Sequence, residues 1–135
     1  MKELGKAKTA RTDKKTSASV KNAQSTAYKK APIRLWVRSK FLGFRRNREI
    51  QKPNQALLKI EGVNESKVTN YYLGKRCVYI YKAATEKQGS KFRTIWGKIV
   101  KSHGGKGVVI ARFSPNLPAQ AMGATIRVML YPQRS

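Results

Sequence analysis

The sequence is poor in the groups that carry out chemistry. Among 135 residues there is one histidine, His103, and one cysteine, Cys77. A lone cysteine forms no internal disulfide and builds no cysteine-rich zinc site. From residue 32 onward there is no aspartate, and the four carboxylates (Glu49, Glu61, Glu65 and Glu86) are scattered. Hard-cation and two-metal sites are built from clustered carboxylates, so no metal or other cofactor is expected. A Cys–His pair is the one nucleophilic arrangement on offer. Cys77 lies inside a strand-like run, where a small buried hydrophobe is its usual role. No acid near His103 in the sequence stands ready to orient it. This inventory argues against an enzyme and against a small-molecule substrate. Long apolar runs are missing too. The longest, Cys77 to Tyr81, has five residues, against the ~20 of a spanning helix, so no membrane association through a helix is expected. Met1 to Lys8 holds no apolar stretch, and the lysine-rich N-terminus carries Glu3 and Asp13. Neither a secretory signal nor an import peptide is expected.

What is abundant is positive charge. Thirty Lys and Arg face six Asp and Glu, a net charge of +24. Like charge at this density repels itself in the folded state. A polyanion removes that penalty, because each neutralised phosphate releases a counterion and makes binding tight and salt-dependent. The length suits one domain with a tail. Residues 1–31 hold nine basic and two acidic residues and few large apolar ones. Alone, such a segment is expected to be disordered, as a solvated tail or as a basic arm that orders against RNA.

From residue 32 to 135 short alternating apolar runs recur between Gly, Pro and Asn, the pattern of an all-β domain with a small core. Strands are expected at Ile33–Arg38, Ala56–Glu61, Arg76–Tyr81, Phe92–Lys101, Gly107–Phe113 and Thr125–Tyr131. One helix of about three turns is expected after Val63. Asn64 would be its N-cap, Glu65 lies in its first turn, Val68 and Tyr72 share its apolar face, and Gly74 stops it. This helix would plug one end of the barrel or sheet. The expected core is Ile33, Leu35, Val37, Leu58, Ile60, Val78, Ile80, Ile95, Ile99, Val109, Ala111, Phe113, Val128 and Leu130, with Phe41 beside it. Trp36 and Trp96 either pack under a loop or stack on a base, and packing is favoured for Trp96.

The stretch GKIVKSHGGKGVVIARFSPNLP, from Gly97, places Gly104, Gly105 and Gly107 between two β-branched runs. It reads as a hairpin turn. Lys98, Lys101, His103 and Lys106 load it with donors, so it also suits a phosphate-facing loop. It is not a Walker loop, because Lys106 precedes Gly107 and a strand follows.

Here the sequence resembles a known family. Gly97-Lys98-Ile99, His103-Gly104, Gly107, Val109, Ala111, Phe113, Leu117 and Pro118 match the signature of the archaeal and eukaryotic large-subunit ribosomal protein family thirty-five-Ae, also called eL thirty-three. Lys101 stands where that family usually has Arg, which keeps the charge and loses the planar fork. Further matching blocks are ALLKIEGV from Ala56, YYLGKRCVYIY from Tyr71, GSKFRTIWGK from Gly89 and IRVMLYP from Ile126. The resemblance covers residues 33–135 and leaves 1–31 as an extension. It implies a six-stranded Greek-key barrel similar to those of translation elongation factors. It also implies a structural role in the large ribosomal subunit, bound to rRNA beside neighbouring ribosomal proteins, and more weakly a contact with tRNA. The implied location is the cytoplasmic ribosome, with assembly through the nucleus or nucleolus in a eukaryote. The alternative from another class is a basic RNA- or DNA-binding protein outside the ribosome.

Double-helical RNA closes its deep groove to side chains, so contacts should fall on phosphates, 2′-hydroxyls and splayed bases. The segment Trp36 to Gln55 is the best electrostatic candidate, with Arg38, Lys40, Arg45, Arg46, Arg48 and Lys52 against Glu49 alone. Arginine suits bidentate phosphate bonding and base stacking. Lys75 and Arg76 either complement the end of the helix or meet RNA. Lys91 and Arg93 should point to the side opposite Phe92. Arg127 should point outward from the last strand, and Arg134 lies in a short tail free to reach RNA.

Overall fold

The computed structural model describes residues 35–133. The extension 1–31, Ile33 and Arg134 lie outside the described residues. Six antiparallel strands close into a barrel: β1 (Trp36–Arg46), β2 (Gln51–Ile60), β3 (Arg76–Lys87), β4 (Ser90–His103), β5 (Val108–Ser114) and β6 (Thr125–Met129). Around the barrel they run β1-β2-β5-β4-β3-β6. The meander β3-β4-β5 lies back against β2, which makes the arrangement a Greek key. Each strand has two partners, which closes the barrel, while the outer parts of β1–β2 and of β3–β4 pair only within their own hairpins.

The interior is filled by alternate residues of every strand. Phe41, Phe44, Ala56, Leu58, Ile60, Cys77, Ile95, Ile99, Val109, Ala111, Phe113, Ile126 and Val128 form one buried cluster. Phe41 and Phe44 meet edge to face at 5.3 Å. Both can face inward although three apart, because the register of β1 slips at Gly43. The polar Ser39 is buried as well, and its hydroxyl donates to the Ile126 carbonyl at 2.9 Å.

Three expectations about the elements are corrected. The first strand does not end at Arg38. It continues to Arg46 and pairs with a β2 that begins at Gln51, so Arg45, Arg46 and Lys52 stand on a ribbon and not in a long loop. The helix is a single turn, α1 (Ser66–Thr69), followed by a 3₁₀ turn (Asn70–Tyr72). Glu65, not Asn64, is its N-cap, and no side chain caps it. Val68 is exposed and the inward residue is Thr69, whose hydroxyl donates to the Ser66 carbonyl. The turn does pack against β4 and β5. In β3 the alternation runs opposite to expectation. Cys77, Tyr79 and Tyr81 face the interior cluster, while Val78, buried as expected, and the half-buried Ile80 lie on the other face of the strand. Leu35 is 63% exposed and leaves the core list. Val37, Ile80 and Leu130 are only half-buried. Sequence pattern cannot separate the two faces of a strand when both carry large apolar residues.

Antiparallel order fixes which loops share an end. The β1–β2 and β3–β4 hairpins leave one end of the barrel. The α1 segment and the β4–β5 hairpin close the other. Both hairpins at the first end are long ribbons whose outer halves are exposed.

Candidate nucleic-acid interface

Register brings like charges together on the outer wall. Arg76 on β3 is paired with Lys98 on β4, and Lys98 with Arg112 on β5. Next to this row, Arg38 on β1 is paired with Arg127 on β6. Like charges directly opposite each other destabilise a sheet. Three in a row across adjacent strands, about 4.8 Å apart, form a site that an anion would relieve. Sequence reasoning missed Arg112, because its partners are visible only in the register. Gly97 makes the close packing possible. A Cβ there would lie 2.5 Å from the Arg112 carbonyl oxygen and 2.7 Å from the Phe113 ring.

Aromatic rings are interleaved with these cations. The Arg127 guanidinium lies 4.6 Å from the Trp36 ring centroid, and that of Arg76 lies 5.9 Å from Trp96. Trp96 is 40% exposed, so the expectation that it packs away is corrected. Its strand position faces outward, between Val78 and Ser114.

The β1–β2 ribbon carries Arg45, Arg46, Arg48 and Lys52, all exposed. Asn47 shapes its tip: its side-chain oxygen accepts from the Glu49 and Ile50 amides. The Arg45 guanidinium donates to Gln55 at 3.0 Å, and Arg46 to the Asn47 carbonyl at 3.1 Å. Arg45, Arg46, Asn47, Ile50 and Lys52 line a concavity of about 280 Å³. A second, of about 300 Å³, lies between Arg38, Lys40 and Lys59. On the β3–β4 ribbon Lys91 is exposed, as is Phe92 at 65%. Arg93 is half-buried and donates to the Thr85 hydroxyl at 2.8 Å, so it is partly engaged within its own ribbon.

The glycine-rich hairpin places Lys98, Lys101, His103 and Lys106 in solvent. Its tip is held by a residue that sequence reasoning did not single out. The Lys59 ammonium donates to the Lys106 carbonyl at 2.6 Å, the Val63 carbonyl at 2.7 Å and the Asn64 side chain at 3.3 Å. It therefore ties the hairpin to the loop before α1. Gly107 lies in the same seam, with φ +72° and the Val63 carbonyl oxygen 2.3 Å from where a Cβ would stand.

Lys75 is corrected as an RNA contact. It is 2% exposed. Its ammonium sits 4.4 Å from the Tyr71 ring centroid and donates to the Pro132 carbonyl at 3.2 Å. A lysine beside an arginine in sequence carries no sign of being turned inward. Arg76, its neighbour, is exposed.

Cys77 is fully buried, and burial pushes its thiol up to about 12. Among the described residues no group of three His, Cys, Asp or Glu could hold a metal ion, and no helix is long and apolar enough to cross a membrane. The arrangement is a closed barrel whose outer wall and ribbons present cations, with aromatic rings among them.

Comparison with known proteins agrees with this picture. The large ribosomal subunit protein eL33 of Tetrahymena thermophila is 56% identical over 105 residues, covering 78% of this chain and 92% of the relative. The protein of the same name from Candida albicans is 46% identical over 99 residues, covering 73% and 92%. That of the archaeon Methanopyrus kandleri is 30% identical over 89 residues, covering 66% and 91%. The family model for ribosomal protein L35Ae matches residues 35–129, from the residue before β1 to the last of β6. With its barrel and the span of these matches in agreement, the chain belongs to the ribosomal protein L35Ae family.

Proposed function

We propose that this protein is a structural constituent of the large ribosomal subunit that binds and stabilises rRNA through its basic outer wall and ribbons. The observation that carries the reading is the cross-strand row Arg76–Lys98–Arg112, which is unfavourable in isolation and favourable against phosphates. The names of the relatives, all large-subunit proteins, support the same reading.

In this reading Arg38, Lys40, Arg45, Arg46, Arg48, Lys52, Arg76, Lys91, Lys98, Lys101, His103, Lys106, Arg112 and Arg127 face RNA, mainly its phosphates and sugars. Arg93 contributes where its ribbon meets RNA. The partners are large-subunit rRNA and adjacent ribosomal proteins in the cytoplasmic ribosome, with assembly in the nucleolus in a eukaryote. A tRNA contact rests on the family resemblance alone. The role is non-catalytic: Cys77 is sealed in the core as a neutral thiol, where it is no nucleophile.

The test is sedimentation of tagged full-length protein through a sucrose gradient, after magnesium is chelated to part the subunits and high salt strips loosely held protein. Co-sedimentation with the large subunit at close to one copy is expected. Complete release into the free pool by salt would refute an embedded position and favour a basic RNA- or DNA-binding protein outside the ribosome.

A further inference from the structure

Trp96 lines two adjacent grooves, and so forms the ridge between them. One groove, of about 480 Å³, is largely apolar and is bounded by Trp36, Val78, Ile80 and Tyr131, with Thr94 and Arg127 as its polar members. The other, of about 350 Å³, has an apolar floor that includes Val100 and Phe113 and is bordered by Arg76, Lys98 and Arg112, the row of like charges. An apolar slot with one or two polar groups beside a patch of cations matches the two halves of a nucleotide. The slot takes the flat base, and the cations take its phosphate.

Resting on the rRNA-binding reading, we propose that this ridge is a site for one unpaired RNA nucleotide, with its base against the Trp96 ring and its phosphate on Arg76, Lys98 and Arg112. Duplex RNA does not fit the role, because its bases are stacked on one another and offer no free face. An acidic protein segment would satisfy the cations but would leave the apolar slot and the exposed indole unused. Arg76 stands at the outer limit of cation–π distance from the indole, about 6 Å, so it leaves room for a base to share the ring. Gly97 belongs to the site as a positioning residue. By admitting the β5 backbone so closely, it sets Arg112 beside Lys98 and Ser114 beside Trp96.

The site can be tested with full-length protein and two end-labelled probes of equal length and charge, an octamer of adenylate and an octamer of abasic ribose phosphate. Their affinities are read by fluorescence anisotropy at fixed salt. Stacking on an aromatic side chain is worth roughly tenfold per base, so oligoadenylate should bind about tenfold more tightly than the abasic chain. Trp96→Leu and Trp96→Gln, two non-aromatic variants of different polarity, should bring that ratio close to one and leave abasic binding unchanged. Trp96→Phe should keep most of it. Arg76→Gln with Arg112→Gln should weaken both probes alike. A ratio near one in the unmodified protein, or a ratio that survives loss of the indole, overturns the site. Both of those results leave the general RNA-binding reading standing, whereas failure to bind either probe at low salt removes both. Octaglutamate binding that falls with Trp96→Leu as steeply as oligoadenylate binding would assign the ridge to an acidic protein segment and overturn the nucleotide.

Discussion

Lys59 should matter to the stability of the fold more than any exposed lysine. Its ammonium makes three bonds, two of them short and directed at backbone carbonyls of separate segments, the Val63 loop and the Lys106 hairpin tip. Lys59→Met keeps the stem, which continues to pack, and deletes the donors. A hydrogen bond to a charged group contributes about 1.5–3 kcal/mol. The site is only partly buried, so water re-solvates some of the freed carbonyls, and the 3.3 Å bond to Asn64 adds little. The low end for each short bond, less this re-solvation, gives a net loss of about 2–3 kcal/mol. For a domain of this size that lowers Tm by roughly 10 °C. The assay is urea unfolding followed by circular dichroism, with Lys106→Met as the control. Lys106 engages the clamp only through its carbonyl, so its side chain can change within about 0.5 kcal/mol. Equal midpoints for Lys59→Met and the unmodified protein would refute the clamp.

Three further outcomes follow from the same geometry. Gly107→Ala must move the Val63 loop and hold a side chain at positive φ, so it should destabilise by more than 1 kcal/mol, read as a shifted urea midpoint. Replacing Arg45, Arg46 and Arg48 together with Ala should lower occupancy of the large subunit after a high-salt wash while leaving the unfolding midpoint in place, because all three are exposed on the ribbon. Wild-type occupancy would show that the ribbon is not an anchor. Cys77 should resist iodoacetamide in the native protein. Since burial raises its thiol to about 12, the neutral form is favoured by folding. Its contribution to stability is complete below the unfolded thiol's range, near 8.5, and declines as pH rises from there to about 12. The stability difference between the unmodified protein and Cys77→Ala should therefore narrow over that window in pH-dependent unfolding.

The all-β class, the six strands and the outward placement of Arg127 were legible because alternation and turn residues are local signals. Leu58, Ile60, Val109 and Phe113 were placed in the core for the same reason. What escaped depended on partners distant in sequence. The strand character of the segment ending at Arg46 was hidden because its outward positions are cationic and the slip at Gly43 interrupts the alternation. The inversion in β3 was hidden because Val78, opposite Trp96 on the outer face, is buried as fully as Cys77 is inside. Lys75 and Lys59 look like any surface lysine in a chain this basic. Only the fold shows that one is turned inward and the other clamps two loops. Arg112 gained meaning when register set it beside Lys98.

The cationic row has a consequence for copies of the chain that never find RNA. A partner that binds only the folded state adds RT ln(1 + [L]/Kd) to its stability, and RNA on the proposed interface would also cancel the repulsion that the fold creates between Arg76, Lys98 and Arg112. The solitary chain is the less stable species by both effects, and so it opens more often and is the better substrate for proteolysis. If RNA occupies the proposed interface, supply of the protein and supply of its RNA would thereby be coupled without a dedicated sensor. Surplus chains would betray themselves by their own charge, and assembled ones would be protected by having it neutralised.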